Sequence, residues 1–350
     1  KAILFTTKTG EFFTGTPLSM CFSNKATMNP YKMISDTLDV FVRQIAKTSY
    51  LIPQNGLMTG KMGVAILLYR YGRYRNDPEM EEYADRLIEL VFQKIGQINE
   101  KGFDNGVYGI VWGMNYLIKQ GFLQADEDIF DEIDTVLLDK GYSASVLQAF
   151  GIEAEKGLYI LGRFISDISS TENKWCQHIE NCVNQFYKIL ISKYTSLVLP
   201  VFPCIYLIRF FHVCQTVWEC GLFRHEIGLL YEEIPEIVKV SYKEEKSISE
   251  KHILATLLDE VPMFEGCVSI CDIPQLTTLT EVNNFYLTQL ILDRKIPIPE
   301  VVNKSILSIA EDQERINGLL EQLNPYYAGL GSNVGGLAWA MMQWCMEQDN

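Results

Sequence analysis

The sequence predicts an all-α fold, an (α/α) barrel or toroid of about seven helical hairpins. Strongly apolar helical segments alternate along the chain with amphipathic ones, and the pattern Gly-x-x-x-Gly-x-x-Gly recurs before apolar runs, with a spacing of about 47 residues. A single helical hairpin of this length cannot bury both of its faces. Hairpins repeated in this way must therefore stack into an open superhelix or close into a ring.

One class of segment has the pattern of a helix with a single apolar face. Its apolar residues recur at spacings of three and four, and acidic residues and lysines stand between them. We expect these helices on the outside of the ring. They cover residues 31–48, 79–98, 129–138, 174–191 and 301–323.

A second class of segment is apolar almost all round. A helix that is packed on both sides has this composition, so we expect these segments on the inside of the ring. They cover residues 64–71, 110–118, 158–165, 205–213 and 337–345.

The period follows from the last glycine of each pattern. The first marker is Gly63, and three steps of about 47 residues then reach Gly109, Gly157 and Cys204. Two further steps reach the neighbourhood of His252 and residues 283–292, which lack the glycines, and the last step reaches Gly336. The count is therefore near seven, although the period alone does not fix the boundaries of the fifth and sixth repeats.

The glycine pattern opens the predicted inner helices at residues 56–63, 102–109 and 329–336, whereas the third repeat keeps only Gly157. Offsets of zero, four and seven place the three glycines on one face if the segment is helical. Glycine costs about 1 kcal/mol relative to alanine inside a helix, so its repetition indicates that side chains are excluded there. Tight helix packing or a shared pocket at the mouth of the ring would each explain this.

No linker rich in proline, glycine or serine divides the chain. We expect residues 1–350 to form a single barrel domain, with residues 1–30 as an irregular N-terminal extension. A closed ring is favoured over an open solenoid because the terminal repeat, residues 329–345, is among the most apolar, whereas a solenoid needs a polar cap. The charged stretch at 241–251 is expected to be a surface loop or a helix end.

Charge and hydropathy narrow the classes of partner. The chain has 44 acidic and 30 basic side chains, a formal net charge of −14, and no basic run that would neutralise phosphates, so we expect no nucleic-acid partner. No apolar stretch approaches the ~20 residues that a membrane-spanning helix needs. The first residues also lack the pattern of a signal peptide. We therefore expect a cytoplasmic protein without a membrane span.

The nine cysteines do not indicate a disulfide framework, because their number is odd and the chain is long enough to build its own core. Cys204 and Cys214 lie among aromatic and aliphatic residues. We expect both to be buried thiols that pack as small apolar side chains.

The glycine pattern followed by runs such as Val64-Ala-Ile-Leu-Leu-Tyr69, repeated about every 47 residues, resembles the lanthionine synthetase C-like family. The resemblance is specific in motif at residues 56–71, 102–118 and 329–342. It implies a ring of seven inner and seven outer helices. In members that act as cyclases, it also implies a zinc ion bound by two cysteines and a histidine, which activates a peptide thiol for addition to a dehydrated serine or threonine.

This sequence departs from the family pattern at the metal ligands. It contains neither the Trp-Cys-Tyr-Gly nor the Cys-His-Gly opening that the resemblance implies. The best remaining constellation is Cys267 and Cys271 with His252 upstream, although its spacing is generic and buried or incidental cysteines explain it better. His178 and Cys182 are four residues apart and can share a helix face, but two ligands do not close a zinc site. We therefore assign no metal ligand, no cofactor and no catalytic residue.

The leading functional hypothesis is a degenerate, zinc-free relative of the lanthionine cyclases, in effect a pseudoenzyme of lanthipeptide-type peptide maturation. It would bind a precursor peptide or a peptide-modifying enzyme. If the chain is active in the manner of the family, it would form thioethers.

Two alternatives come from other classes. A carbohydrate-active enzyme on the same kind of barrel would use paired carboxylates, for which Asp104 and Glu153 are the candidates, although acids near helix N-termini are common. Trp112 and Trp339 lie in inner-helix runs and are expected in the core rather than at a sugar site. The other alternative is a non-catalytic protein-interaction ring.

Overall fold

The structure of the chain, a computed structural model, confirms the all-α prediction, because the described residues form helices and contain no β-strand. None of the described helices is both long enough and apolar enough to cross a bilayer. The structure describes residues 29–124, 129–138, 145–166, 173–191, 199–261, 264, 268, 278–293, 296, 299–321, 323, 328–331 and 333–349.

Two single turns of 3-10 helix lie at Ser49–Leu51 and Ile95–Gln97. The α-helices in chain order are α1 (Pro30–Thr48), α2 (Lys61–Arg75), α3 (Pro78–Phe92), α4 (Val107–Lys119), α5 (Asp131–Leu138), α6 (Val146–Ser166), α7 (Cys176–Ile191), α8 (Cys204–Glu219), α9 (Arg224–Glu233), α10 (Pro235–Glu244), α11 (Ile248–Asp259), α12 (Leu279–Leu292), α13 (Glu300–Glu311), α14 (Gln313–Glu321) and α15 (Asn333–Gln348).

A set of buried helices carries every marker of the 47-residue period. These helices are α2, α4, α6, α8, α11, α12 and α15. Each contacts the next in that order, and α15 contacts α2, so the order of contacts returns to its starting helix. Their apolar side chains join one hydrophobic core. The positions near His252 and at residues 283–292, which the period alone located, lie in α11 and α12.

Amphipathic helices pack against this buried set. Helix α3 contacts α2, α7 contacts α6, α9 and α10 contact α8, and α13 contacts α12. Helix α1 contacts both α13 and α15. The charged stretch at 241–251 contains the end of α10 and the start of α11, which fits the expected helix end.

Two of the expected outer helices end earlier than predicted. The segment expected as one helix over residues 301–323 is split into α13 and α14 at Asp312, whose φ of −92° and ψ of 85° are not helical. The Asp312 carboxylate accepts a hydrogen bond from Arg315 N at 3.0 Å, so it caps the second helix. The helix expected over residues 79–98 ends at Phe92 and continues as a 3-10 turn.

The glycine patterns are turns that lead into helices rather than faces of helices. Helix α2 begins at Lys61 and α4 at Val107, so the first two glycines of each pattern precede the helix. The condition on which the three glycines would share one face, a helical segment, is therefore not met at these two patterns. In the third repeat Gly157 lies inside α6.

The glycine turns of neighbouring repeats touch through their backbones. A side chain at Gly56 would overlap the backbone of Asn105, and one at Gly329 would lie 2.6 Å from Thr59 Cα. Met58 N donates to Asp104 O at 2.7 Å, and Gly331 N donates to Met58 O at 2.6 Å. Glycine is needed at these points because only a backbone without Cβ permits such an approach.

Gly102 provides a matched comparison for this steric requirement. A Cβ there would come no closer than 3.5 Å to its nearest neighbour, the Glu155 carboxylate, which is an ordinary contact. We expect Gly56→Ala to lower the free energy of unfolding by about 2–3 kcal/mol, because two backbones must move apart. We expect Gly102→Ala to change it by less than about 0.5 kcal/mol. Urea unfolding followed by circular dichroism measures both, and equal effects would contradict the proposed backbone contact.

Candidate functional site

Six charged side chains lie close together where several buried helices begin, and we call this group the polar cluster. Asp104 lies just before α4, and Arg209, Glu250 and Glu281 lie within the first two turns of α8, α11 and α12. Glu155 lies in the middle of the longer α6, and Glu245 follows α10. Electrostatic interactions connect Glu250 to Glu245, Glu281 and Arg209. The members of the polar cluster are Asp104, Glu155, Arg209, Glu245, Glu250 and Glu281.

Arg209 is the cation of the polar cluster. Its side chain is only 3% exposed, and it forms ion pairs with Asp104 at 2.6 Å and with Glu155 at 3.0 Å. The second oxygen of Glu155 accepts a hydrogen bond from Phe103 N at 3.1 Å. Burial raises the pKa of Glu155, although Arg209 and the Phe103 N–H oppose the rise. Asp104 differs in that its side chain is 45% exposed, so it presents a carboxylate to solvent.

The start of α8 is capped by carboxylates from the next repeat. Its N-cap residue is Pro203, which has no side-chain acceptor. Cys204 N instead donates to Glu245 at 3.0 Å, and Ile205 N donates to Glu250 at 3.1 Å. The first N–H groups of a helix have no partner within the helix, and the helix dipole favours negative charge at this end.

The same arrangement occurs between α11 and α12. Each begins with a serine or threonine followed three residues later by glutamate, and Ser247 and Thr278 accept from Glu250 N and Glu281 N. The Glu281 carboxylate reaches α11, where Ser249 N donates to it at 2.9 Å and Ser249 Oγ at 2.6 Å. The glutamates of these two capping motifs therefore serve the preceding buried helix.

Two neighbouring buried glutamates differ in proton affinity because they accept different numbers of backbone hydrogen bonds. Burial, reinforced by the charge of Glu245, raises the pKa of Glu250 to about 7. Burial acts on Glu245 in the same direction, but hydrogen bonds from the N–H groups of Ser247, Cys204 and Lys246 bring its pKa below the ordinary value. Glu250 therefore exchanges its proton close to neutral pH while Glu245 stays ionised.

Only one of the two candidate carboxylates belongs to the polar cluster. Asp104 lies in it, but Glu153 is buried elsewhere on α6, where it forms an ion pair with Lys156 at 3.7 Å. The glutamate of α6 that lies near Asp104 is Glu155, and both carboxylates contact Arg209.

Two of the candidate metal ligands, Cys267 and Cys271, lie outside the described residues. So does the segment 1–28 of the expected N-terminal extension. His252 lies on α11 with its ring 6.0 Å from that of Phe285, and Cys182 is buried on α7. In the part of the chain that the structure describes, no group of three or more histidine, cysteine or acidic side chains is placed to hold a metal ion.

Two cysteines and two tryptophans lie in the core as predicted. Cys204, Cys214 and Trp339 are each at most 2% exposed, and burial raises the pKa of both thiols. Trp112 is also buried in the core, where it stacks on Tyr116 and lines a cavity between the buried helices.

Sequence reasoning did not identify Arg209, Glu155, Glu245, Glu250 or Glu281. A signal existed for three of them. Arg209 is the single charged residue in the apolar run 205–213, and Ser247-x-x-Glu250 and Thr278-x-x-Glu281 have the capping-box pattern. No such pattern marked Glu155 or Glu245.

Comparison with known proteins identifies no relative: no family model matches the chain, and neither the curated proteins nor the solved structures contain a match.

Glu250 gives the fold a pH dependence that can be measured. Because its pKa in the folded protein is about 7, above the ordinary value, the folded state holds an extra proton between the two values. Stability therefore falls as pH rises through this window. We expect Glu250→Gln, which keeps an acceptor for Ile205 N, to reduce the loss of stability between pH 5 and pH 8 by roughly 2–3 kcal/mol.

Urea unfolding at the two pH values tests this, with Glu82→Gln on the exposed face of α3 as the matched control. The control should keep the pH dependence of the unmodified protein. If Glu250→Gln also keeps it, the assigned proton does not reside on Glu250.

Proposed function

We propose that the chain forms an (α/α) toroid of about seven hairpins, similar to the lanthionine synthetase C-like proteins, and binds a peptide at the end where the inner helices begin. The closed order of contacts from α2 through α15 and back to α2 supports the toroid. The glycine turns at residues 56–60, 102–106 and 329–331 support a shared end, because their backbones touch one another.

The charge of this end indicates the chemistry of the peptide. The polar cluster has five carboxyl groups and one guanidinium, and the chain as a whole has a net charge of −14. A surface of one sign attracts ligands of the other sign and raises their association rate. The observation that carries the proposal is the half-exposed Asp104 carboxylate held in place by the buried Arg209. We infer a peptide with lysine or arginine side chains.

The role we propose is that of a binding or scaffold component in peptide maturation, without zinc chemistry. The partner would be a precursor peptide, or a peptide-modifying enzyme that presents a basic segment. Under this proposal the polar cluster orients the peptide, and another protein supplies the covalent chemistry.

The alternatives have weaker support. A glycosidase needs two carboxyl groups that are free to exchange protons and attack the sugar. Asp104 and Glu155 are both engaged by Arg209, and Glu153 is paired with Lys156. A protein-interaction ring without a peptide site is the outcome expected if the binding experiment below fails.

Peptide binding is measured by fluorescence anisotropy with two labelled peptides of identical length, one rich in lysine and serine and the other with glutamate in place of lysine. We expect the lysine peptide to bind more tightly and to lose affinity as salt is raised. Asp104→Asn should weaken its binding by about twofold to fivefold, the upper part of the range of an exposed charge pair. The matched control is Asp131→Asn, an exposed ion-paired carboxylate on α5. Equal binding of the two peptides, or equal effects of the two variants, would refute the assigned site.

Zinc binding is the second test of the proposal. We expect titration of the purified chain with zinc to reveal no tightly bound stoichiometric metal. One zinc ion per chain, lost on changing Cys267 or Cys271 to alanine, would instead indicate a cyclase-type metal site and would overturn the zinc-free role.

A further inference from the structure

Exposed apolar side chains gather in one region of the surface. Among the residues that the structure describes, Leu147, Ile191, Leu199 and Val201 are each between 39% and 43% exposed. They lie in the first turn of α6, at the end of α7 and in the stretch that leads into α8. Single exposed apolar residues are common on protein surfaces, whereas a group of neighbouring ones marks an interaction site.

Three buried phenylalanines hold these segments together. Phe150 of α6 stacks on Phe202, just before α8, with their ring centres 4.2 Å apart, and Phe186 of α7 lies 5.5 Å from Phe150. Each ring is at most 1% exposed. Every one of the four exposed residues is within five positions of one of these phenylalanines in the sequence. The four side chains therefore surround one aromatic cluster, and we call them the apolar patch.

Tyr206 connects the apolar patch to the polar cluster. A Cβ at Gly151 would lie 2.6 Å from the ring of Tyr206, so α6 and α8 touch at this point. Leu147 lies one turn before Gly151 on the same side of α6. The phenol of Tyr206 also interacts with the charges of three members of the polar cluster, Glu155, Arg209 and Asp104. The apolar patch is thus continuous with the end of the molecule proposed to bind a peptide.

The charges beside the apolar patch differ between its two sides. Toward the buried helices lie the five carboxyl groups and one guanidinium of the polar cluster, including Glu245, which caps α8 three residues after Val201. Toward the amphipathic helices the charges have both signs. The exposed ones there include Lys188 of α7, and Lys243, Glu244 and Lys246 at the end of α10. The dominant charge at the patch is therefore the negative charge on its inner side.

This charge favours one kind of occupant. A second copy of the chain, with its own net charge of −14, would bring like charges together. An anionic membrane would be repelled for the same reason. A segment with basic residues beside its apolar ones would cover the patch and complement the carboxylates.

We propose that the apolar patch and the polar cluster together bind a basic amphipathic segment. Its leucine-like side chains cover the apolar patch, and a neighbouring lysine or arginine pairs with the half-exposed Asp104. This inference rests on the proposed function and specifies its peptide, which needs apolar residues next to the basic ones.

Four labelled peptides of equal length test the inference by fluorescence anisotropy. They combine lysine or glutamate with either serine or leucine, the latter at positions i, i+3, i+4 and i+7 so that a helix presents them on one face. We expect the lysine–leucine peptide to bind at least fivefold more tightly than the lysine–serine peptide, and more tightly than the glutamate–leucine peptide.

A double variant, Leu147→Gln with Val201→Ser, removes two members of the apolar patch. It should reduce the gain from leucine to less than twofold. It should leave the affinity for the lysine–serine peptide within twofold, which shows that the variant is folded. The matched control is Leu51→Gln, the same change at a side chain that is 55% exposed in the 3-10 turn after α1. This control should leave all four affinities unchanged.

Three binding results would overturn the inference. They are a gain from leucine below fivefold, a gain that persists in the double variant, and a glutamate–leucine peptide that binds as tightly as the lysine–leucine peptide. Sedimentation velocity and binding to phosphatidylcholine vesicles test the other occupants. A dimer that the double variant dissociates, or vesicle binding that it abolishes, would also overturn the inference.

The two proposals can fail separately because they have different readouts. Asp104→Asn with the lysine–serine peptide tests the proposed function, and the double variant with the lysine–leucine peptide tests the apolar patch. If leucine adds no affinity while Asp104→Asn still weakens binding, the proposed function stands and this inference fails. If the gain from leucine depends on the apolar patch while Asp104→Asn has no effect, the site assigned to Asp104 fails instead.

Discussion

The buried helices α8 and α11 depend on the following repeat to satisfy their first N–H groups. The N-cap residue of α8, Pro203, provides no side-chain acceptor. Glu245 and Glu250 accept from the first two N–H groups of α8 instead, and Glu281 accepts from Ser249 N of α11. Helices α2 and α4 differ, because carbonyls of their own preceding turns accept from their first N–H groups. Unsatisfied N–H groups at a buried helix end are costly, so docking of the next repeat stabilises the starts of α8 and α11 and couples these repeats.

This coupling also explains the composition of the polar cluster. Helix starts attract carboxylates, and helices that begin side by side bring those carboxylates together. Their mutual repulsion is reduced by the buried Arg209, by the charge of Lys251 near Glu245, and by protonation, since the pKa of Glu250 is about 7. The acidic end proposed to bind a peptide is thus a by-product of how the helices are capped. Changes there will affect stability and binding together, which is why matched control variants are needed.

The sequence predicted the helices better than the site. The period located α11 and α12 through His252 and residues 283–292 although both lack glycines, because alternating burial leaves a regular trace in hydropathy. The site depends on contacts between repeats, which no local pattern encodes. Glu153 and Glu155 illustrate this: two residues of helix turn the side chain by about 200°, so one faces Lys156 and the other faces Arg209. The choice between them requires the orientation of α6.

The packing of α1 against α15 has a consequence for how the chain folds. Tyr31 donates a hydrogen bond to Asp349 at 3.0 Å, so residues more than 300 positions apart in the sequence are neighbours in space. During synthesis α1 emerges long before the helix that covers it. Its apolar face, which includes Phe41 and Val42, is therefore only partly covered until α15 has been synthesised. Until then this face can associate with other apolar surfaces, so the interval between the synthesis of α1 and that of α15 favours aggregation.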